Sequence, residues 1–241
     1  MSLINSVGKL ISYELKENIL HKMGAPHMFW SIRNLQKLGF EPEVIFDIGA
    51  YKGEWTERVN EIFPEATFFM FEGQKSKEAY LKLLKDKLSN RSEYIIGLLG
   101  AEQGKPIYFN ESETASSVSL TNTTQHNDYL QTLNYLVKSK QIQIPNFIKI
   151  DVQGYELEVL KGASDILQNT EAILMEISLL DIGNNNTPLL NEVLIFMENL
   201  DFVPYDICSA STRRPLDNAL WQTDILFIKK DSKYRLSKDY K

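Results

Sequence analysis

The sequence contains one cysteine, Cys208, among 241 residues, so no internal disulfide can form. A single cysteine without zinc-like partners is typical of a packed core thiol, and the lack of disulfides fits a reducing compartment. No apolar run reaches the length of a membrane-spanning helix. Residues 1–22 also lack the continuous apolar core and the small-residue cleavage site of a secretory signal. These absences predict a cytoplasmic location and no membrane span.

The chain has fewer basic than acidic residues. It contains 26 lysines and arginines and 32 aspartates and glutamates, which gives a formal net charge of −6. Because binding to a phosphate backbone requires a basic face, no nucleic-acid partner is expected. Hydrophobic residues make up 43% of the chain and charged residues 24%, an ordinary globular composition that can bury a core.

Short apolar runs rich in β-branched and aromatic residues recur along the chain and predict strands. These runs are 44–46, 67–71, 94–96, 106–109, 147–150, 172–175, 202–207 and 224–228. Amphipathic helical patterns fill most of the gaps, over 54–63, 75–88, 156–167 and 189–200. Strands that alternate with helices pair in parallel, because a parallel partner needs a crossover long enough to hold a helix.

The last two strand runs break this rhythm. Residues 208–223 between them show little helical periodicity, so they predict a loop that joins an antiparallel pair. The expected fold is therefore α/β and Rossmann-like, with a mostly parallel seven-stranded sheet and an antiparallel last strand. This arrangement is similar to that of class I methyltransferases. It would be unusual in a dehydrogenase-type Rossmann fold.

Domain boundaries follow from the same patterns. Residues 1–39 are expected to form an N-terminal helical extension, which packs on the core or provides a homodimer interface. Its two apolar stripes are Ile4, Val7, Ile11 and Leu15, and Ile32, Leu35 and Leu38. Residues 40–230 form the main domain, and residues 231–241 a tail. A polar insertion at 110–146, with one helix near 128–138, is a natural place for a substrate lid.

The segment after the first predicted strand is the most informative. The strand ends in Asp47, and a turn with Gly49, Ala50, Tyr51 and Gly53 leads into a helix. Glycine allows a tight turn and the close approach of a ligand, and a helix N-terminus suits a carboxylate. S-adenosylmethionine carries a carboxylate and an ammonium, and Asp47 could face the ammonium directly or through water. The alternative is an ordinary strand-turn-helix junction with glycines for geometry.

Two phosphate-binding fingerprints are missing from this turn, Gly-x-Gly-x-x-Gly and Gly-Lys-Ser/Thr. Glu72 ends the second strand about twenty residues further on, where nucleotide-binding folds place the acid that binds ribose. A carboxylate can accept hydrogen bonds from both ribose hydroxyls. Gly97, which follows the third strand, could let adenine lie against the backbone.

Residues 148–163 read Ile-Lys-Ile-Asp-Val-Gln-Gly-Tyr-Glu-Leu-Glu-Val-Leu-Lys-Gly-Ala. With residues 47–53 and the Phe-Glu pair at 71–72, they closely resemble the FkbM-type S-adenosylmethionine-dependent methyltransferases, over roughly residues 40–230. The resemblance implies S-adenosylmethionine as the methyl donor. It also implies, usually, a hydroxyl acceptor on a sugar or a natural-product scaffold.

Position by position, the resemblance implies a donor-binding turn at Asp47, Gly49 and Gly53, a ribose ligand at Glu72, and Asp151 beside the methyl group. The chain departs from the family pattern at three places. Gly73 replaces the usual proline, Gln153 stands where many members have Glu, and Asn134 replaces the Asp of a Thr-Leu-Asp motif.

Methyl transfer from a sulfonium is an in-line displacement, so the enzyme contributes mainly by positioning the two reactants. A hydroxyl must also lose its proton to a base within hydrogen-bond reach. The candidates are Asp151, Glu176 and His126, with Asp151 preferred. Oxygen ligands at Asp151, Gln153 and Glu176 would suit a divalent metal, but two carboxylates without diagnostic spacing predict none.

Two other functions stay open. An NAD-dependent oxidoreductase of Rossmann type would share the fold and the ribose acid, but the missing third glycine and the antiparallel ending disfavour it. A catalytically silent S-adenosylmethionine-binding module is suggested by Gln153 and Asn134. The expected partner is a small-molecule or glycan acceptor, contacted by residues 1–38, 116–126 and 209–214. Arg213 and Arg214 in the last segment could meet an acidic sugar or a phosphate.

Overall fold

The computed structural model describes residues 22–110, 117–119, 128–183, 187–210, 212–237 and 239. The main sheet contains β1 (Val44–Ile48), β2 (Thr67–Glu72), β3 (Ser92–Ile96), β8 (Phe147–Ile150), β9 (Ala172–Ser178), β10 (Phe202–Ile207) and β11 (Gln222–Lys229). A smaller sheet contains β4 (Leu98–Leu99), β5 (Pro106–Asn110), β6 (Ser117–Ser119) and β7 (Asp128–Gln131). The helices are α1 (Met28–Lys37), α2 (Glu54–Ile62), α3 (Glu78–Leu88), α4 (Leu133–Lys140), α5 (Glu156–Lys161), α6 (Ser164–Leu167) and α7 (Leu190–Glu198).

The main sheet has the strand order β10-β11-β9-β8-β1-β2-β3. All of its pairs are parallel except those of β11, which runs antiparallel to both β9 and β10. The predicted α/β fold, with a mostly parallel seven-stranded sheet and an antiparallel last strand, is therefore confirmed. The order reverses between β1 and β8. Their connections leave in opposite directions there, and open α/β sheets bind ligands in the resulting crevice at the carboxyl ends of the strands.

Both faces of the sheet are buried, which explains why its strands are almost continuously apolar. Alternate residues along a strand point to opposite faces. Phe46 and Ile148 pack with the buried side chains of α4 to α7 on one face. Ile45 and Phe147 pack with α1 and α2 on the other. Cys208 belongs to this second cluster and is buried, as its pattern predicted.

The N-terminal extension lies partly outside the described residues, and its first apolar stripe is in that undescribed part. The second stripe is on α1, where Ile32 and Leu35 are buried. Leu38 is 55% exposed, because the helix ends at Lys37 and Leu38 occupies its C-cap. The prediction that Leu38 belongs to the buried stripe is wrong. No helix of the described part of the chain has the length and the apolar character needed to cross a membrane.

The insertion differs from its predicted form. Residues 128–131 form β7, which pairs with β4 and β5, so the predicted helix over them is wrong. The helix starts at Leu133, where Thr132 provides the N-cap by accepting a hydrogen bond from the backbone N–H of Tyr135. The predicted run at 106–109 is β5 of the smaller sheet, whereas β4, β6 and β7 escaped prediction because they are two to four residues long. Such short runs show no clear alternation.

The predicted helix over residues 156–167 is two helices, α5 and α6, which are separated at Gly162. The carbonyl oxygen of Gly162 accepts from the backbone N–H of Asn134 at the start of α4, 3.0 Å away. A side chain at Gly162 would collide with the carbonyl oxygen of Gly100. This close contact joins the smaller sheet to the helices beside the main sheet.

The packing around β8 gives a test of the fold. Phe147 is fully buried, with its ring centroid 5.8 Å from that of Phe40 and 5.7 Å from that of Trp55. Phe147→Ala should lower the free energy of unfolding by about 3–5 kcal/mol, because the cavity closes only partly. Leu216→Ala is the control, since Leu216 is 83% exposed and should change it by less than about 0.5 kcal/mol. Urea unfolding measures both, and equal effects would contradict this packing.

Candidate active site

Two adjoining cavities open at the carboxyl edge of the main sheet, with volumes of about 310 and 220 Å³. Gly49, Tyr51 and Asp151 line both of them. The first cavity is also lined by Ile48, Phe71, Glu72, Gly73, Gln74, Gly97, Leu98, Leu99, Phe109, Val152, Gln153 and Tyr155. The second is also lined by Met28, Ala50, Lys52, Glu54, Trp55, Lys149, Ile150, Leu174, Glu176 and Asp224.

The turn after β1 is fixed to the strands on both sides. The backbone N–H groups of Gly49 and Ala50 donate to the carbonyl oxygen of Phe71, at 2.9 and 3.0 Å. Gly49 has a φ of +75°, and a Cβ there would collide with the carbonyl oxygen of Asp151. Only glycine fits at this position, because the backbones of the turn and of the β8 end are in direct contact.

The remaining turn residues separate into two groups. Ala50 lines the second cavity, so with Gly49 and Tyr51 it lies where a ligand can reach. Gly53 lines neither cavity. It is the N-cap of α2 with a φ of +82°, and a side chain there would collide with Leu84 of α3. The requirement for glycine at this position therefore comes from helix packing.

Asp47 also lies behind the turn and lines neither cavity. It is fully buried, and its carboxylate accepts from the hydroxyl of Thr56 at 2.7 Å. The ammonium of Lys149 is 3.3 Å from its other oxygen and donates to the carbonyl oxygen of Gly49 at 2.9 Å. Asp47 therefore takes part in a buried ion pair that supports the turn, and its contact with a ligand, directly or through water, stays a prediction.

Glu72 lines the first cavity, and both of its carboxylate oxygens accept hydrogen bonds from the backbone. One accepts from the backbone N–H of Tyr51 and the other from that of Gln74, each at 2.7 Å. Burial raises the pKa of Glu72, while these two hydrogen bonds lower it. Each carboxylate oxygen can accept a second hydrogen bond. The pair of free acceptor positions matches the two hydroxyls of a ribose.

The apolar wall of the first cavity explains one departure from the family pattern. A side chain at Gly73 would lie 2.5 Å from Leu98 and 3.4 Å from Phe109, so these two residues occupy the space that a proline ring would need. Gly97 lines the same region, and a side chain there would meet the amide of Gln131 at 2.8 Å. Leu98 and Phe109 give this part of the cavity an apolar surface that suits a planar base.

Asp151 stands at the junction of the two cavities, with 35% of its side chain exposed. One oxygen accepts from the amide of Gln153 at 2.8 Å, and the other is 3.6 Å from the ammonium of Lys149. The same amide of Gln153 lies 3.5 Å from Glu176. A glutamate at position 153 would add a third negative charge between these two carboxyls. The glutamine bridges them instead.

Glu176 belongs to the second cavity. It accepts a hydrogen bond of 2.8 Å from the amide of Gln222. Burial, together with the negative charges of Asp151, Asp224 and Glu156, raises the pKa of Glu176 to about 8. Asp224 is its register partner across β9 and β11, and burial raises the pKa of that carboxyl as well.

Glu156 organises the loop between β8 and α5. Its carboxyl is buried and accepts from the backbone N–H groups of Val152 and Gly154, both at 3.0 Å. Burial raises the pKa of Glu156 to about 7. These two bonds fix the turn in which Gln153 has a φ of +56°, so Glu156 determines where the amide of Gln153 lies.

Several sequence predictions fall away from the two cavities. His126 lies outside the described residues. Asn134 caps α6, since its amide donates to Ser164 at 3.0 Å and its oxygen accepts from the N–H of Asp165 at 3.2 Å. The guanidinium of Arg214 pairs with Asp217, and that of Arg213 donates to a backbone carbonyl. Neither arginine lines a cavity.

Sequence reasoning missed four residues of the site: Lys149, Glu156, Gln222 and Asp224. One signal was present, because a lysine inside the otherwise apolar β8 must find a buried partner. Asp224 and Gln222 start the antiparallel β11, whose first residues lie at the carboxyl edge beside Glu176. No group of three His, Cys, Asp or Glu side chains within the described ranges is arranged to hold a metal ion.

Residues 47–204 match the family described as the methyltransferase FkbM domain, which is more than half of the chain and confirms the resemblance found in the sequence. A stretch of 63 residues is 40% identical to the hexuronic acid methyltransferase AglP of Haloferax volcanii. That alignment spans 26% of this chain and 26% of the relative.

Two solved structures are distantly similar. The precorrin-6y C5,15-methyltransferase of Geobacter metallireducens has a TM-score of 0.46 at 13% identity, over 83% of this chain and 88% of that chain. Fibrillarin of Aeropyrum pernix, solved with natively bound S-adenosyl-L-methionine, has a TM-score of 0.48 at 11% identity, over 78% and 67% of the two chains.

The buried ion pair gives a prediction about stability. Lys149→Met keeps the length of the side chain but leaves Asp47 buried without its cation. The free energy of unfolding should fall by about 3–5 kcal/mol, as it does when one partner of a buried pair is removed. Lys161→Met is the matched control, because it breaks the exposed pair with Glu158 and should cost less than about 1 kcal/mol. Urea unfolding at pH 7 compares them, and similar losses would refute the role of Lys149.

The raised pKa of Glu176 predicts a pH dependence. Folding raises this pKa from 4.5 to about 8, so the folded state binds the proton more tightly than the unfolded chain does. The contribution to stability is complete below about pH 4.5 and is lost as the pH rises toward 8. Protonated glutamate and glutamine are both neutral, so wild type and Glu176→Gln should differ least near pH 4.5, and the wild type should become progressively less stable than the variant as the pH rises toward 8. Glu198→Gln, an exposed control, should show no such trend, and a flat difference for both variants would contradict the prediction.

Proposed function

The chain belongs to the FkbM methyltransferase domain family, and from that premise we propose that it transfers the methyl group of S-adenosylmethionine to a hydroxyl oxygen of a small molecule such as a sugar. The predicted cofactor is confirmed through the family. The observation that carries the proposal is the pair of cavities that share Asp151. One cavity has the groups for a nucleoside, and the other has a carboxyl suited to take up a proton.

The first cavity fits the nucleoside half of S-adenosylmethionine. Glu72 would hold the ribose through the acceptor positions that Tyr51 and Gln74 leave free. Leu98 and Phe109 would cover the face of the adenine. This combination of one buried carboxylate and an apolar wall is what a neutral nucleoside requires. A pyrophosphate would instead need N–H donors at a glycine-rich turn.

The junction of the cavities fits the methionine half. The turn at Gly49 and Tyr51 passes directly beside Asp151. The carboxylate of Asp151 is partly exposed and is the group best placed to hold the ammonium. Asp47 supports this arrangement from behind the turn through its ion pair with Lys149. When bound, S-adenosylmethionine supplies a methyl group that is already activated by the positive charge on sulfur.

Glu176 is the better candidate for the base. A proton acceptor is most effective when its pKa is close to the working pH, and burial among carboxyls raises the pKa of Glu176 to about 8. Gln222 fixes its position at the second cavity. Asp151, the preferred base from sequence, is held by Gln153 and Lys149 and would serve the donor. His126 stays a prediction.

The hydroxyl and sugar-like nature of the acceptor is supported by the relative named a hexuronic acid methyltransferase. Its alignment covers about a quarter of each protein, so the support extends to the class of acceptor only.

Among the alternatives, an NAD-dependent oxidoreductase does not agree with membership of this family. The silent binding module was suggested by Gln153 and Asn134. Both residues have structural roles instead, because Gln153 bridges two carboxyls and Asn134 caps a helix.

Calorimetric titration with S-adenosylmethionine, with NAD as the competitor ligand, tests the donor site. Micromolar binding of S-adenosylmethionine and none of NAD is expected. Glu72→Gln should weaken binding by roughly 10–100-fold, because a hydrogen bond to a charged group is worth about 1.5–3 kcal/mol. Glu93→Gln, on the exposed face of neighbouring β3, is the matched control and should bind as wild type does.

The outcomes separate the candidate functions. Preference for NAD, or no binding of either ligand, would reject the methyltransferase proposal. Binding of S-adenosylmethionine without formation of S-adenosylhomocysteine on any hydroxyl acceptor would favour the silent module.

A further inference from the structure

The second cavity adjoins the donor cavity and shares Asp151 with it. An acceptor oxygen must reach the methyl group at this junction, because the displacement requires the two reactants in line. On the basis of the proposed function, the second cavity is therefore the natural acceptor site. Its charge and its hydrogen-bonding groups are informative about the compound that it holds.

Carboxyl groups dominate the polar wall of this cavity. Asp151, Glu176 and Asp224 all line it, and Glu176 and Asp224 are register partners on adjacent strands. Asp151, Asp224 and Glu156 each act electrostatically on the proton of Glu176. A ligand carboxylate in the cavity would meet the same negative field, and the juxtaposition of like charges is strongly unfavourable.

The cations near the cavity are already engaged. The ammonium of Lys149 contacts the carbonyl of Gly49 and the carboxylates of Asp47 and Asp151. The ammonium of Lys52 lies over the rings of Tyr51 and Tyr80, 4.9 and 5.2 Å from their centroids. Among the described residues that line the cavity, Lys52 and Lys149 are the cations, both already have these partners, and no arginine is present.

A second, independent observation points to a ligand with oxygen acceptors. Trp55 lines the cavity, is nine-tenths buried, and its indole N–H has no hydrogen-bond partner among the residues described. A buried donor without a partner is costly unless a ligand or water satisfies it.

We propose that the second cavity binds an uncharged polyhydroxylated acceptor, such as a neutral sugar, through Glu176, Asp224 and Trp55, and that it discriminates against the corresponding uronate. A hydroxyl can donate to the carboxyls and can accept from the indole N–H. An amine acceptor fits less well. The negative field would keep the amine protonated, and a protonated amine has no lone pair with which to attack the methyl carbon.

The test uses protein saturated with S-adenosylhomocysteine, so that the donor cavity is filled and no turnover occurs. Methyl glucoside, methyl galactoside and methyl mannoside are titrated beside their uronate counterparts and glucosamine, and saturation-transfer NMR reports binding. At least one neutral glycoside should bind roughly tenfold more tightly than its uronate. Asp224→Asn should reduce this ratio to about threefold or less, since it removes one of the repelling charges. Asp165→Asn, an exposed control on α6, should leave the ratio unchanged.

Equal or tighter binding of the uronates, a preference for glucosamine, or no binding of any neutral glycoside would overturn this proposal. These results would leave the proposed function intact as long as S-adenosylhomocysteine binds. Failure of S-adenosylhomocysteine itself to bind would instead reject the donor site. The two proposals therefore fail in different steps of the same experiment.

Discussion

The buried ammonium of Lys149 is the interaction on which the rest of the site depends. It joins β8 to Asp47 on β1 and to the carbonyl oxygen of Gly49 in the turn, so one side chain connects the two central strands to the ligand-binding loop. Removing two charges from water is expensive, and only close geometry with further hydrogen bonds recovers that free energy. Thr56 supplies one such bond from α2. The position of the turn is therefore determined by the core of the sheet.

The acidic side chains at this edge of the sheet have two different electrostatic environments. Lys149 lies between Asp47 and Asp151, so these two groups have a cation within 3.6 Å. Glu176 and Asp224 stand further along the edge, where burial raises the pKa of both. The same sheet edge thus holds one carboxylate beside a lysine, Asp151, and two buried carboxyls with raised pKa values, Glu176 and Asp224.

Features set by local sequence were predictable, and features set by register were not. The alternation of strands and helices predicted the sheet, and the spacing of Gly49 and Glu72 predicted that they belong to one site, where they line the first cavity, because each pattern depends on neighbouring residues. Gln222 and Asp224 reach Glu176 only through the pairing of β9 with β11, and Gln222 lies 46 positions from Glu176 along the chain. Asp47 was assigned to the ligand because its pattern shows a strand end, whereas its burial and its lysine partner depend on β8.

The departures from the family pattern are explained by the same distinction. Gly73 is required by the packing of Leu98 and Phe109, which lie far from it in sequence. Gln153 replaces a carboxylate at a place where two carboxyls already stand, and its amide donates to Asp151 and approaches Glu176. An added charge there would raise the proton affinity of Glu176 further, since nearby carboxylates already act in that direction. The glutamine at position 153 therefore avoids a further negative charge between Asp151 and Glu176, so this departure from the motif has a physical reason in the site.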